Sequence, residues 1–142
     1  MSPPRLVHHE LCFGCGRANL FGLLMDAEPT DEGRVRGRGF IKQDHQGAVP
    51  GTAHDGIVAA ALSEAMSFAA CQGAEAVSVE LRLHTPVPVG AFLDVEAQAR
   101  NAPEGEMEAS ASASVDDQLV ATARGTYRRR AQRSDRQVRS QK

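Results

Sequence analysis

The run His45-Gln-Gly-Ala-Val-Pro-Gly-Thr-Ala-His54-Asp-Gly-Ile-Val-Ala-Ala-Ala-Leu-Ser63-Glu64-Ala-Met66 divides into two unlike halves. Gly47, Pro50 and Gly51 punctuate the first half, the chemistry of a loop. The second half predicts a helix from about Gly56 to Cys71, because Ala59, Ala60, Ala61, Leu62, Ala65, Met66, Ala69 and Ala70 all favour one. Those residues also make it apolar nearly all round, so it must be membrane-spanning or wrapped by its own domain. Its length falls short of the about 20 residues a bilayer requires, and it carries Ser63 and Glu64. The reading is a central, buried helix.

The start of that helix is a place where chemistry can happen. First-turn amides have no partner inside the helix, and the helix dipole adds partial positive charge there. The loop delivers His54, Asp55 and the side-chain-free Gly56 to that point. A ligand carbonyl could approach the amides closely at glycine and be polarised as in an oxyanion hole. Equally, Asp55 or Thr52 could simply cap the helix while His54 packs in the loop.

Outward from this segment, the chain reads as one domain. It has 142 residues, is 42% hydrophobic and 24% charged, and carries a net charge of −2. Nothing in that balance attracts nucleic acid, and no leader or long apolar run is visible, so a cytoplasmic protein without a membrane partner is expected. Three cysteines, an odd number, fit reduced thiols better than a disulfide framework.

On either side of the helix the text is β-like. A hairpin is expected from Leu23–Ala27, the turn 29–33 and the alternating run Arg34 to Lys42. After a helix stop at Gln72-Gly73, four alternating runs follow: Val77 to Leu83, Leu93 to Ala99, Met107 to Val115 and Leu119 to Tyr127. They predict a four-stranded antiparallel meander with one apolar face. Alanine and glycine dominate that face in the last strands, matching an alanine-rich helix in size. The fold class is therefore α+β, a curved antiparallel sheet of five or six strands around one long helix.

The two ends differ from this body. Residues 1–19 form an N-terminal segment containing His8-His9 and Cys12-Phe-Gly-Cys15-Gly. These could in principle supply four zinc ligands, but adjacent histidines point apart and no second C-x-x-C follows. A turn with small, buried thiols and no metal is expected. Residues 20–127 make the domain proper. Residues 128–142 form a basic tail with seven basic residues and one acidic, about +6 against about −8 for the rest, expected to be a solvated end.

The element order and two motifs resemble the hotdog fold, and in it the phenylacetate-type (PaaI-like) branch of acyl-CoA thioesterases. The central run is similar to that group's H-Q-G-x-x-P-G-x-x-H-G-G-x-x-x-x-x-L-x-D-E-A-M. The stretch Cys12-Phe-Gly-Cys-Gly-Arg-Ala-Asn19-Leu-Phe-Gly-Leu23 is similar to its C-x-x-C-G-x-x-N-P-x-G-L. The resemblance covers about residues 10 to 128. It implies hydrolysis of an acyl-CoA or related acyl thioester, with no cofactor, in a homodimer or homotetramer whose subunits share the site. The Gly56 amide would hold the thioester oxygen, His54 would position the thioester, and a helix carboxylate would handle water. His45, Asn19 and Asp55 fall in the motif segments as substrate-contact candidates, and Arg128 is one for coenzyme A phosphates.

Three positions depart from the pattern. Asp55 replaces the first glycine of H-G-G, Leu20 replaces a proline, and Ser63 stands where the family has its catalytic carboxylate. Seven residues after Gly56, Ser63 returns to the same helix face, and Glu64 lies about a quarter-turn away. An unactivated serine is a poor nucleophile, so Glu64 is the expected water-handling group. A hotdog protein that binds a thioester without hydrolysing it, and a dehydratase-like chemistry using Asp44-His45, remain the other readings.

Overall fold

A computed structural model of the chain describes residues 4–71 and 74–129. The expected stop at Gln72-Gly73 and the tail from Arg130 onward lie outside the described residues. Two short leading strands, β1 (Asp26–Pro29) and β2 (Arg34–Phe40), form the predicted hairpin. A 3₁₀ turn (Gln43–His45) leads to the helix α1 (Asp55–Ala70), followed by β3 (Ala74–Leu83), β4 (Phe92–Asn101), β5 (Glu106–Val115) and β6 (Gln118–Arg129).

All six strands join one antiparallel sheet in the order β1-β2-β4-β5-β6-β3. This corrects the expected four-strand meander. Strands β4, β5 and β6 do follow one another, but β3 pairs with β6 at the far edge, and β4 pairs with β2. The connection from β3 to β4 explains it. Pro86 and Pro88 disfavour a tight hairpin, and this segment is pinned to the loop before the helix, with Ala53 N–H donating to Val87 O at 2.8 Å. The β5–β6 turn is tight as expected. Asp116 and Asp117 take φ of 50° and 65°, the left-handed pair that matches the twist of a hairpin.

The helix lies across the concave face. Val58, Ala61, Leu62, Ala65, Met66 and Ala69 are buried against Ala97, Ala109, Ala111, Ala113, Ala121 and Ala123 of the sheet. Small residues on both surfaces let the two backbones come close and still exclude voids. The cover is incomplete at the β3 edge. Val79 pairs with Gly125, and Leu83 with Ala121, so both face the helix side, yet they are 43% and 45% exposed. Val77 is exposed as well. No helix among the described residues is long and apolar enough to cross a membrane.

A candidate active site at the start of the central helix

His54 is the N-cap of α1, with extended backbone, and its ring Nδ1 accepts the Gly56 N–H at 2.8 Å. Neither Asp55 nor Thr52 does this work. Thr52 instead donates its hydroxyl to Val49 O at 2.8 Å, and Asp55 stands exposed in the first turn, where a carboxylate suits the helix dipole. With Nδ1 accepting, the neutral ring carries its proton on Nε2, an assignment made from the hydrogen-bond pattern. The loop can hold His54 there because Gly47 has no side chain. A Cβ on Gly47 would lie 2.7 Å from the His54 Cα.

Around His54 and Gly56 opens a cleft of about 340 Å³ lined by Phe13, Asp44, His45, Gln46 and Ile57. Among the described residues Asp44 is the one carboxylate in that lining, and the sequence does not single it out for hydrolysis; its signal is its place directly before the motif histidine. His45 is buried and fully engaged. Its Nδ1 accepts the Lys42 N–H at 3.0 Å, and its Nε2 donates to Phe21 O at 3.1 Å. It braces the loop and has no ring nitrogen left for proton transfer, which leaves a dehydratase-like Asp-His pair without its acid or base.

The other expected site residues are dispersed. Ser63 is half-buried on α1, and the Tyr127 hydroxyl donates to its carbonyl oxygen at 3.4 Å. Asn19 ties its own turn together, donating to Leu11 O and accepting the Phe21 N–H, each at 3.2 Å. Arg128 is exposed on β6 and donates to Glu106 at 3.2 Å. None of the three lines the cleft.

Glu64 sits elsewhere again. It is buried, and its carboxylate meets the N-terminal segment, pairing with the His8 ring and taking the Cys12 thiol at 3.5 Å to each oxygen. Gly14 allows this approach, since a Cβ there would stand 1.9 Å from Glu64 Oε2. Burial pushes the Glu64 carboxyl up, but the bond and charge of His8, with help from Cys15 and Cys12, bring it below its ordinary value. The same Glu64 bond holds His8 above its ordinary value against the opposite pull of burial. Cys15, wholly buried, has its thiol pushed up to about 12, by burial first and by the Glu64 charge as well.

With this geometry in view, comparison with known proteins concerns the fold. No protein-family model and no curated protein matches the sequence. Solved structures do. The chain superimposes on the thioesterase superfamily protein RHA08564 with a TM-score of 0.72 at 22% identity, over 79% of this chain and 60% of that one. It thus spans less than two thirds of that relative's length. A mutant of the phenylacetic acid degradation protein PaaI from Thermus thermophilus gives 0.69 at 24% identity, over 75% and 93%. The PaaI protein of E. coli gives 0.69 at 22%, over 77% and 81%. One long helix in a curved six-stranded antiparallel sheet, in this order and on these superpositions, is the hotdog fold in the form seen in PaaI-type thioesterase-superfamily structures.

Proposed function

We propose that this chain hydrolyses an acyl thioester, an acyl-CoA or a related acyl conjugate, at the start of α1. The observation that carries this is the cleft that joins the Gly56 amide, His54 and a carboxylate at the positive end of a helix. When the His54 ring swings off Gly56, the amide is released to hold the thioester oxygen, and the ring is left beside the sulfur. Asp44 accepts a proton from water as the water oxygen bonds to the carbonyl carbon. The C–S bond then breaks, the proton passes to sulfur, and a free acid and a thiol leave.

This assigns the water to Asp44 rather than to Glu64, whose carboxylate is already held by His8 and Cys12. Ser63 stands seven residues from Gly56, about 10 Å along the axis at 1.5 Å per residue, so both reach one thioester only if a second copy supplies one of them. A homodimer fits the uncovered β3 edge, where Val77, Val79 and Leu83 are exposed on a ten-residue strand that, among the described residues, pairs on one side alone. Arg128, exposed and in a surface ion pair with Glu106, is placed to meet phosphates of a coenzyme A moiety.

A second reading, a binder that does not turn its thioester over, is favoured by Ser63 in the family's carboxylate position. A panel of acyl-CoA substrates assayed by released thiol separates the two. Turnover that falls in Asp44→Asn supports hydrolysis at this cleft, whereas saturable binding with no released thiol from any substrate establishes the binder. Sedimentation checks the assembly: Val79→Glu is expected to give a monomer from a parent dimer, and a monomeric parent at micromolar concentration refutes the shared site.

A further inference from the structure

Four donors that the proposed hydrolysis does not use converge farther along the helix, at Glu64: His8, Cys12, Cys15 and Glu64 itself. One ligand atom from each lies within 4.8 Å of every other. We propose that these residues form a structural zinc site, in which two thiolates, the His8 Nδ1 and the Glu64 carboxylate hold one tetrahedral divalent cation and fasten the N-terminal segment to the central helix.

The spacing of the donors carries the assignment. With Zn–S near 2.3 Å and Zn–N or Zn–O near 2.0–2.1 Å, a tetrahedron has sulfur-to-nitrogen and sulfur-to-oxygen edges of about 3.5 Å. The Cys12 and Cys15 sulfurs stand 3.7 and 3.6 Å from His8 Nδ1, and Cys12 Sγ stands 3.5 Å from each Glu64 oxygen. The His8–Glu64 edge is the closed one. The ion would enter there, replacing a direct contact between the two groups with a bond to each.

Groups around the donors are placed as a metal site needs them. The second ring nitrogen of His8, Nε2, lies 3.1 Å from Ser67 Oγ, an outer contact that can accept the Nε2 proton when Nδ1 binds the ion and that holds Nδ1 toward the cluster. The His8 ring stacks on Phe68 with centroids 4.0 Å apart, which fixes its plane. The His8 backbone N–H donates to Cys15 Sγ at 3.1 Å, the kind of bond that stabilises a thiolate. The His8 side chain is 25% exposed, which leaves a way in.

The donor set selects the ion. Paired thiolates with imidazole in tetrahedral array suit zinc, while magnesium and calcium require oxygen ligands. Four protein donors leave no open position for a substrate or water, so the role is structural. Binding displaces the two thiol protons, and the ion spans groups roughly 50 residues apart in sequence, where closing a loop has a large entropic effect on the unfolded chain. Between the two cysteines sits Phe13, which lines the His54 cleft, so the ion also steadies one wall of that cleft.

The full chain, purified without chelator, is expected to carry about one zinc per molecule by elemental analysis. Stripping it under reducing conditions should lower the thermal midpoint by about 5–10 °C, and zinc alone should restore it. Cobalt(II) added to the stripped chain should give sulfur-to-metal charge-transfer absorption and tetrahedral visible bands. Cys71→Ser, a cysteine outside the cluster, should keep the zinc, and Cys12→Ser with Cys15→Ser should lose it. Because the double variant can fail to fold, the cobalt spectrum of the native chain decides independently. A reduced native chain that develops no charge-transfer band overturns the proposal. So does zinc retained without both cysteines, or a Cys12–Cys15 disulfide found in place of metal in protein taken from the cell.

Discussion

The two ends of one helix segment, eight residues apart, are built in opposite ways. At Gly56 the helix opens to solvent: His54, Asp55 and Gly56 are exposed, and the first-turn amide is capped by the exposed His54 ring. At Glu64 the helix is closed: a buried carboxylate is gripped by His8 and the Cys12 thiol, with Gly14 cut back to admit it. An open, exchangeable donor can act on a substrate. A buried carboxylate held by partners from another segment stabilises, because its loss leaves charge unpaired in a low-dielectric site. The lesson is that a charged residue two turns along the helix from Gly56 does not have to share its function.

The largest expected effect tests that division at the open end. Asp44→Asn should reduce thioester turnover about a hundredfold, the usual worth of a positioned base, with its thermal midpoint nearly unchanged. A rate within a few-fold of the parent would remove Asp44 from the chemistry and return Glu64 to it. Next comes the closed end. Glu64→Gln should destabilise the chain by about 2 kcal/mol in denaturant titration, reduced from the value for a wholly buried pair because His8 is part-exposed. A hundredfold fall in turnover with stability intact would erase the contrast between the two regions.

A smaller effect sharpens the role of His54. His54→Ala should cost about 1 kcal/mol by losing the N-cap, and His54→Asn, itself a strong cap, should cost almost nothing. If the ring positions the thioester, both variants lose turnover alike, and rescue of turnover by asparagine would make His54 a cap alone. The smallest change lies between the two regions. Tyr127→Phe removes a hydroxyl bonded to Ser63 O at 3.4 Å, a long bond, and should cost about 0.5 kcal/mol with turnover preserved.

Much of this molecule was legible in one dimension. The alanine run of α1, the period-two strands, the Asp116-Asp117 turn and the apolar face of the sheet follow from local rules, since period and propensity act over a few residues. The helix start at His54-Asp55-Gly56 was legible too, because loop punctuation and capping are local chemistry. That His54 itself is the cap was not, since capping depends on which of several polar side chains the loop turns inward. Strand order was also hidden: whether β3 pairs with β4 or crosses to β6 depends on how the 84–91 segment packs against the pre-helix loop.

The N-terminal cysteines mark the boundary most clearly. Sequence showed C-x-x-C and two histidines, and from spacing alone the set was short of a partner. It could not show that His8 rather than His9 turns inward, or that Glu64 supplies the remaining donor. The sequence by itself determined the elements and the chemistry that each could offer. Only the tertiary structure decided which offers meet, because a contact between residues 8 and 64 depends on the path of the whole sheet and leaves no period, propensity or spacing in the chain.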